Sequence, residues 1–170
     1  MVTALSLYVY MQFYQYLSSY AQGRVSTLTF GLAMMGYSLG LALLQPLVSG
    51  WVQRMSYPTA MLIGFGCLAA GMTAFSAVLI VPGVAAISFG NAVLFLKNDL
   101  EALARSKRSA TVVFGQQRLA VGIGACLSGL VGGPLYGVFE RAGHLPWFWL
   151  AVAAQCVVIP LVVLATRRGS

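Results

Sequence analysis

Long apolar runs, each closed by a short polar, charged or proline-containing turn, recur six times along the chain. A helix needs about 20 mostly apolar residues, within roughly 17–25, to cross the hydrocarbon core of a bilayer. The pattern predicts spans over approximately 2–20, 28–52, 59–76, 78–96, 112–138 and 146–166. The breaks are Arg24 with its polar neighbours, then 54–58, 97–109 and 140–145. No charge marks the turn between the third and fourth spans. There Pro82-Gly83 is either a kink or the start of the fourth helix. The expected architecture is an all-α transmembrane bundle of six helices, one unit over 1–170.

Composition sharpens that picture. The chain is 59% hydrophobic and 8% charged, whereas soluble domains are about 45–50% apolar and about 25% charged. A net charge of +7 could point to nucleic acid, but the basic residues sit singly or in short groups between apolar runs. That is the pattern of membrane-span flanks contacting lipid, and no nucleic-acid partner is expected. With six spans, one side carries Arg54, Lys97, Arg105, Lys107, Arg108, Arg167 and Arg168, and the other only Arg24 and Arg141. The positive-inside rule then makes both termini cytoplasmic. The expected location is a cell membrane, of the bacterial inner-membrane kind. No Lys or Arg precedes Arg24, so the first run lacks the basic region of a secretory signal. A span starting almost at Met1 reads as part of something longer.

Polar side chains inside spans mark protein interfaces or water. At 100° per residue Gln12, Gln15, Ser19 and Gln22 share an arc of about 90°, with Tyr8 and Met11 beside them. Such a stripe either lines an aqueous cavity or supplies interhelical hydrogen bonds, worth about 0.6 kcal/mol each. The second span repeats it with Ser38, Gln45 and Ser49, and adds Pro46 and a Gly36/Gly40 pair; the fourth contributes Asn91. The third and sixth spans hold few polar groups, Gln155 being the main exception, and are expected at the periphery. Gln116, Gln117 and Arg118 lie one to two turns into the fifth span. An arginine at mid-bilayer costs about 2.5–3.5 kcal/mol. Arg118 therefore binds an anionic group, closes a gate, or snorkels to the surface over about 9 Å of helix. Gly122, Gly124, Gly129, Gly132, Gly133, Pro134 and Gly137 follow, and predict close packing and a bend at Pro134. The segment after the fourth span is expected to extend that helix into the cytosol, with Lys97, Glu101 and Arg105 paired four apart.

Catalytic and metal chemistry finds no foothold. The acids are Asp99, Glu101 and Glu140, all at or beyond the ends of the predicted spans, and the one histidine, His144, is in a loop. No proton relay, paired-acid or Ser/His site is visible, and no enzyme activity is expected. Cys67, Cys126 and Cys156 are far apart in apolar runs and read as buried free thiols, without metal or cofactor.

With these residues in view the chain resembles one repeat half of the major facilitator superfamily. Gly129-Leu-Val-Gly-Gly133-Pro134-Leu-Tyr-Gly137 is similar to the GxxxGPxxGG motif of the fifth span in drug:proton antiporters, with Val138 at the last glycine. Ser49-Gly-Trp-Val-Gln53-Arg54 stands where the family has its G-x-L-A-D-R turn, with Gln53 in place of the acid. Degenerate motifs of this kind resemble the carboxy-terminal half of an efflux transporter. The resemblance implies alternating access against a complementary six-helix half, with a small organic or drug-like substrate. The cavity-lining set would be Tyr8, Gln12, Gln15, Ser19, Ser38, Gln45, Asn91, Gln117 and Arg118. Gly129, Gly133, Pro134 and Gly137 would serve helix packing. A self-sufficient homodimeric transporter and a non-transport membrane scaffold remain the alternatives.

Overall fold

A computed structural model describes residues 2–106 and 109–168. Lys107 and Arg108 lie outside them, as do the side chains of Arg105, Arg167 and Arg168, so the uneven count of basic residues rests there on sequence alone. The described residues are all helical apart from short turns. The helices are α1 (Val2–Ala21), α2 (Thr27–Arg54), α3 (Tyr57–Ser76), α4 (Ile80–Arg105), α5 (Ala110–Leu127), α6 (Gly133–Arg141) and α7 (Leu145–Arg168). Five stretches are long and apolar enough to cross a membrane: Thr27–Arg54, Tyr57–Ser76, Ile80–Ala104, Thr111–Arg141 and Leu145–Ala165. The protein is therefore an α-helical, membrane-embedded type of chain. At 20 residues α1 has the length, but Gln12, Gln15 and its tyrosines keep it out of that apolar group.

Local chemistry explains the helix ends. The Ser26 hydroxyl accepts the Thr29 N–H at 3.1 Å, and the Ser56 hydroxyl accepts the Thr59 N–H at 3.3 Å. These N-caps satisfy donors that the first turn leaves without partners. They also start α2 and α3 slightly before the apolar runs themselves. Between α3 and α4 the chain turns at Val78, which has φ 61°, an uncommon conformation for a β-branched side chain. Because α4 begins at Ile80, Pro82 falls in its first turn, where a missing N–H has no cost. The turn, not a kink, separates the two helices.

At its other end α4 continues to Arg105. Lys97, expected to pair with Glu101 on a solvated face, turns inward instead. Its ammonium donates to the carbonyls of Met55 at 2.7 Å and Val52 at 3.4 Å. A cation there satisfies the Met55 carbonyl, gives a second donor to the Val52 carbonyl, which also accepts the Met55 N–H at 3.3 Å, and meets the negative end of the α2 dipole.

α3 lies between α4 and α7, α2 packs on the other side of α4, and α1 packs chiefly against α5 while touching α7 and α4. This reverses the expected periphery: α3 carries Phe65, Leu68, Met72 and Phe75 into the core, whereas α2 buries only Ala33, Tyr37 and Val52. Scarcity of polar groups in the third span reflects dry packing inside the bundle. Glycines set that packing. Gly71 of α3 meets Gly83 of α4, and Gly64 meets Gly90. Both pairs are seven residues apart on antiparallel helices, so the backbones touch at two successive levels. Phe13, Tyr37, Phe75, Phe148 and Trp149 fill the centre, with Phe13 and Phe75 stacked at 5.8 Å and Phe75 edge-on to Trp149 at 5.1 Å.

The stretch Thr111–Arg141 is a single helical run with a π-helical segment, Ser128–Gly132, between α5 and α6. Wide turns of this type take up the register change that Pro134, lacking an N–H, demands. The close approaches come from Gly124, against the Ala4 carbonyl, and Gly132, against Tyr16. A Cβ added at Gly129 or Gly137 would meet nothing within 4 Å among the described residues, one at Gly133 would only graze the Tyr16 hydroxyl, and Pro134 is exposed. Within the antiporter-like segment the packing falls to Gly132 and to Tyr136, which stacks on Tyr16 at 5.0 Å, and not to the four motif positions Gly129, Gly133, Pro134 and Gly137.

Candidate functional site

Four helices, α1, α2, α4 and α5, surround an open groove of about 420 Å³. α1 supplies Thr3, Leu7, Tyr10 and Met11, α2 supplies Gln45, α4 supplies Phe95, Asn98 and Asp99, and α5 supplies Phe114, Gln117, Arg118 and Val121. Its volume is within the roughly 300–1,000 Å³ usual for small-molecule sites. Apolar side chains provide most of the wall, and a few polar groups converge on one end.

Asn98 organises that end. Its carbonyl side-chain oxygen accepts the Tyr57 hydroxyl of α3 at 3.0 Å, and its amide donates to Ser6 of α1 at 3.5 Å. Its main-chain oxygen accepts the Gln117 amide of α5 at 3.3 Å. One buried asparagine so ties α4 to three neighbouring helices and fixes where Asp99, the next residue, enters the groove. Asp99 is half-buried, and the Arg118 charge acts on it from α5. The two lie about 9 Å and about 12 Å along their helices from the α4–α5 connection, at 1.5 Å per residue. Asp99 and Arg118 so stand at similar depth in the groove, Asp99 half-buried and Arg118 exposed to it.

The structure brings Gln45, Gln117 and Arg118 together in this groove. It sends the first-helix stripe elsewhere. Gln12 is fully buried and donates to the Gln155 side-chain oxygen at 3.2 Å, which the Tyr8 hydroxyl also reaches at 2.7 Å. Tyr8 and Gln12 therefore join α1 to α7 instead of lining the groove. Gln15 is exposed and accepts the Ser128 hydroxyl at 3.3 Å. Ser19, also exposed, lies in a surface pocket at the α1–α2 turn. Ser38 bonds back to the Met34 carbonyl of its own helix. Asn91 is fully buried and donates to the Tyr37 hydroxyl at 3.2 Å. The side-chain oxygens of Gln12 and Asn91 have no hydrogen-bond partner among the described residues.

No family model matches the chain, and no characterised protein or solved structure shows significant similarity to it. Function must be argued from the groove.

Sequence reasoning missed Asp99, Asn98 and the aromatic wall of Tyr10, Phe95 and Phe114. The signal was present: Asn91, Phe95 and Asn98-Asp99 recur at helical spacing along α4. Ending the fourth span at the first charge hid it. Among the described residues no group of three or more His, Cys, Asp or Glu is placed to hold a metal ion. Of the thiols only Cys156 is buried; Cys67 is half-buried and Cys126 exposed.

Proposed function

We propose that the protein is one six-helix half of a secondary active transporter of the major facilitator type, moving a small organic molecule by alternating access. In this reading α1 and the five apolar stretches are the six spans, both termini are cytoplasmic, and the groove is one wall of the substrate cavity.

The observation that carries the reading is the groove itself. It is built from four helices, is open, and mixes aromatic, amide and charged side chains. A lipid-facing surface has no use for an aspartate, an arginine and two glutamines at one place. Two of the helices that form it, α2 and α5, also carry uncovered apolar side chains, including Leu39, Leu43, Leu47, Leu119 and Ile123. A second bundle laid on those faces would close the groove into a central cavity. The reading rests on this groove and no longer on the Gln12 stripe.

Flux measurement tests it. Proteoliposomes holding the chain paired with a second six-helix bundle should take up tracer solute faster than empty vesicles, and the chain alone should not. Facilitated flux by the monomeric chain would contradict the half-transporter form, and no flux with any partner, including a second copy, would contradict transport.

A further inference from the structure

The groove contains one negative and one positive side chain, Asp99 on α4 and Arg118 on α5, and shares its lining with Tyr10, Phe95 and Phe114. We propose that it is a binding site for a small zwitterion with an apolar body, of the amino-acid type, its ammonium on Asp99 and its carboxylate on Arg118. This deepens the transport reading by naming the substrate class.

The argument is one of charge balance. Asp99 and Arg118 together are neutral. A simple cation bound to Asp99 would set a second positive charge beside Arg118, and a simple anion would do the reverse beside Asp99. Each would leave net charge in a site partly withdrawn from water, which is costly. A zwitterion aligned against the pair adds no net charge and gives each group a counter-ion. Guanidinium and carboxylate also match as a two-pronged hydrogen-bonding pair. The remaining wall suits an apolar side chain: Tyr10 and Phe95 stand edge-to-face at 5.9 Å, and Phe114 is exposed along α5. Gln117 is held on the Asn98 carbonyl, which leaves its own side-chain oxygen for a further ligand N–H.

Equilibrium binding to the full chain purified in detergent tests this with three probes of one shape. Phenylalanine has both charges, phenethylamine only the ammonium, and 3-phenylpropionate only the carboxylate. Phenylalanine should bind at least about tenfold tighter than either analogue, about 1.4 kcal/mol. Asp99→Asn should leave phenylpropionate binding as well as phenylalanine, and Arg118→Gln should do the same for phenethylamine. The exchanged pair, Asp99→Arg with Arg118→Asp, should restore the preference for phenylalanine. If the wild-type protein binds all three alike, or binds a singly charged probe tightest, the proposal is overturned, whatever the variants do. Binding needs no transport, so the two ideas fail separately. Phenylalanine binding without flux would leave the site and remove the carrier, and flux of other solutes without phenylalanine selectivity would do the opposite.

Discussion

A Cβ added to Gly71 would lie 2.7 Å from the Gly83 carbonyl oxygen, and one added to Gly83 would lie 3.0 Å from the Gly71 carbonyl oxygen. The contact is reciprocal, so α3 and α4 touch through their backbones, and a carbonyl cannot move aside as a side-chain tip can. Gly71→Ala should therefore cost about 1–3 kcal/mol through overpacking. Gly36→Ala, where a Cβ meets nothing, should be neutral or stabilising by up to about 1 kcal/mol from helix propensity. Denaturant unfolding in detergent, followed by circular dichroism, compares the two. Equal behaviour of both variants would show that α3 and α4 are not in backbone contact.

The Tyr8–Gln155–Gln12 cluster gives an asymmetric expectation. Gln155→Leu removes the shared acceptor and leaves the Tyr8 hydroxyl and the Gln12 amide without it. Gln12→Leu removes an amide whose oxygen is already unpartnered. Stranding a buried donor costs about 1–3 kcal/mol, whereas exchanging a poorly satisfied polar group for an apolar one is close to neutral. Gln155→Leu should thus be the more destabilising of the two in a thermal-shift assay. The reverse order would mean that Gln12 holds a water-filled site after all.

Lys97 closes the α2 C-terminus from another helix. Lys97→Met keeps the apolar stem and strands the Met55 carbonyl, while the Val52 carbonyl keeps the Met55 N–H at 3.3 Å. A loss of about 1–3 kcal/mol is expected, together with faster protease cleavage at the α2–α3 turn, while Lys97→Arg should retain part of the stability. Unchanged cleavage in Lys97→Met would show that the ammonium does not hold the turn.

Helix positions were legible because the bilayer demands long apolar runs, whereas the capping serines Ser26 and Ser56, which start α2 and α3 earlier, went unread. Packing was less so. A stripe such as Tyr8, Gln12, Gln15 and Ser19 defines a face but not its neighbour, and the neighbour of its first half is the isolated Gln155 of α7. The GxxxG pair drew attention to Gly36 and Gly40, yet only Gly40 approaches another helix, at Ser88. The seven-residue glycine ladder is split between two helices and shows only when they are laid antiparallel. Of the twelve residues lining the groove, three were singled out in the sequence, Gln45, Gln117 and Arg118. Its acid was missed because a charge was read as the end of a span, although nothing breaks α4 before Ser106.

The central claim is that the groove between α1, α2, α4 and α5 is a wet, one-sided crevice within the membrane. Single cysteines at Gln45, Gln117, Gln12 and Asn91, in a background without Cys67, Cys126 and Cys156, can be exposed to a membrane-impermeant thiol reagent in vesicles of known sidedness. The account predicts labelling of positions 45 and 117 from the side of the basic loops and none at positions 12 and 91. Positions 45 and 117 unlabelled from that side, or labelled no faster than 12 and 91, would contradict it.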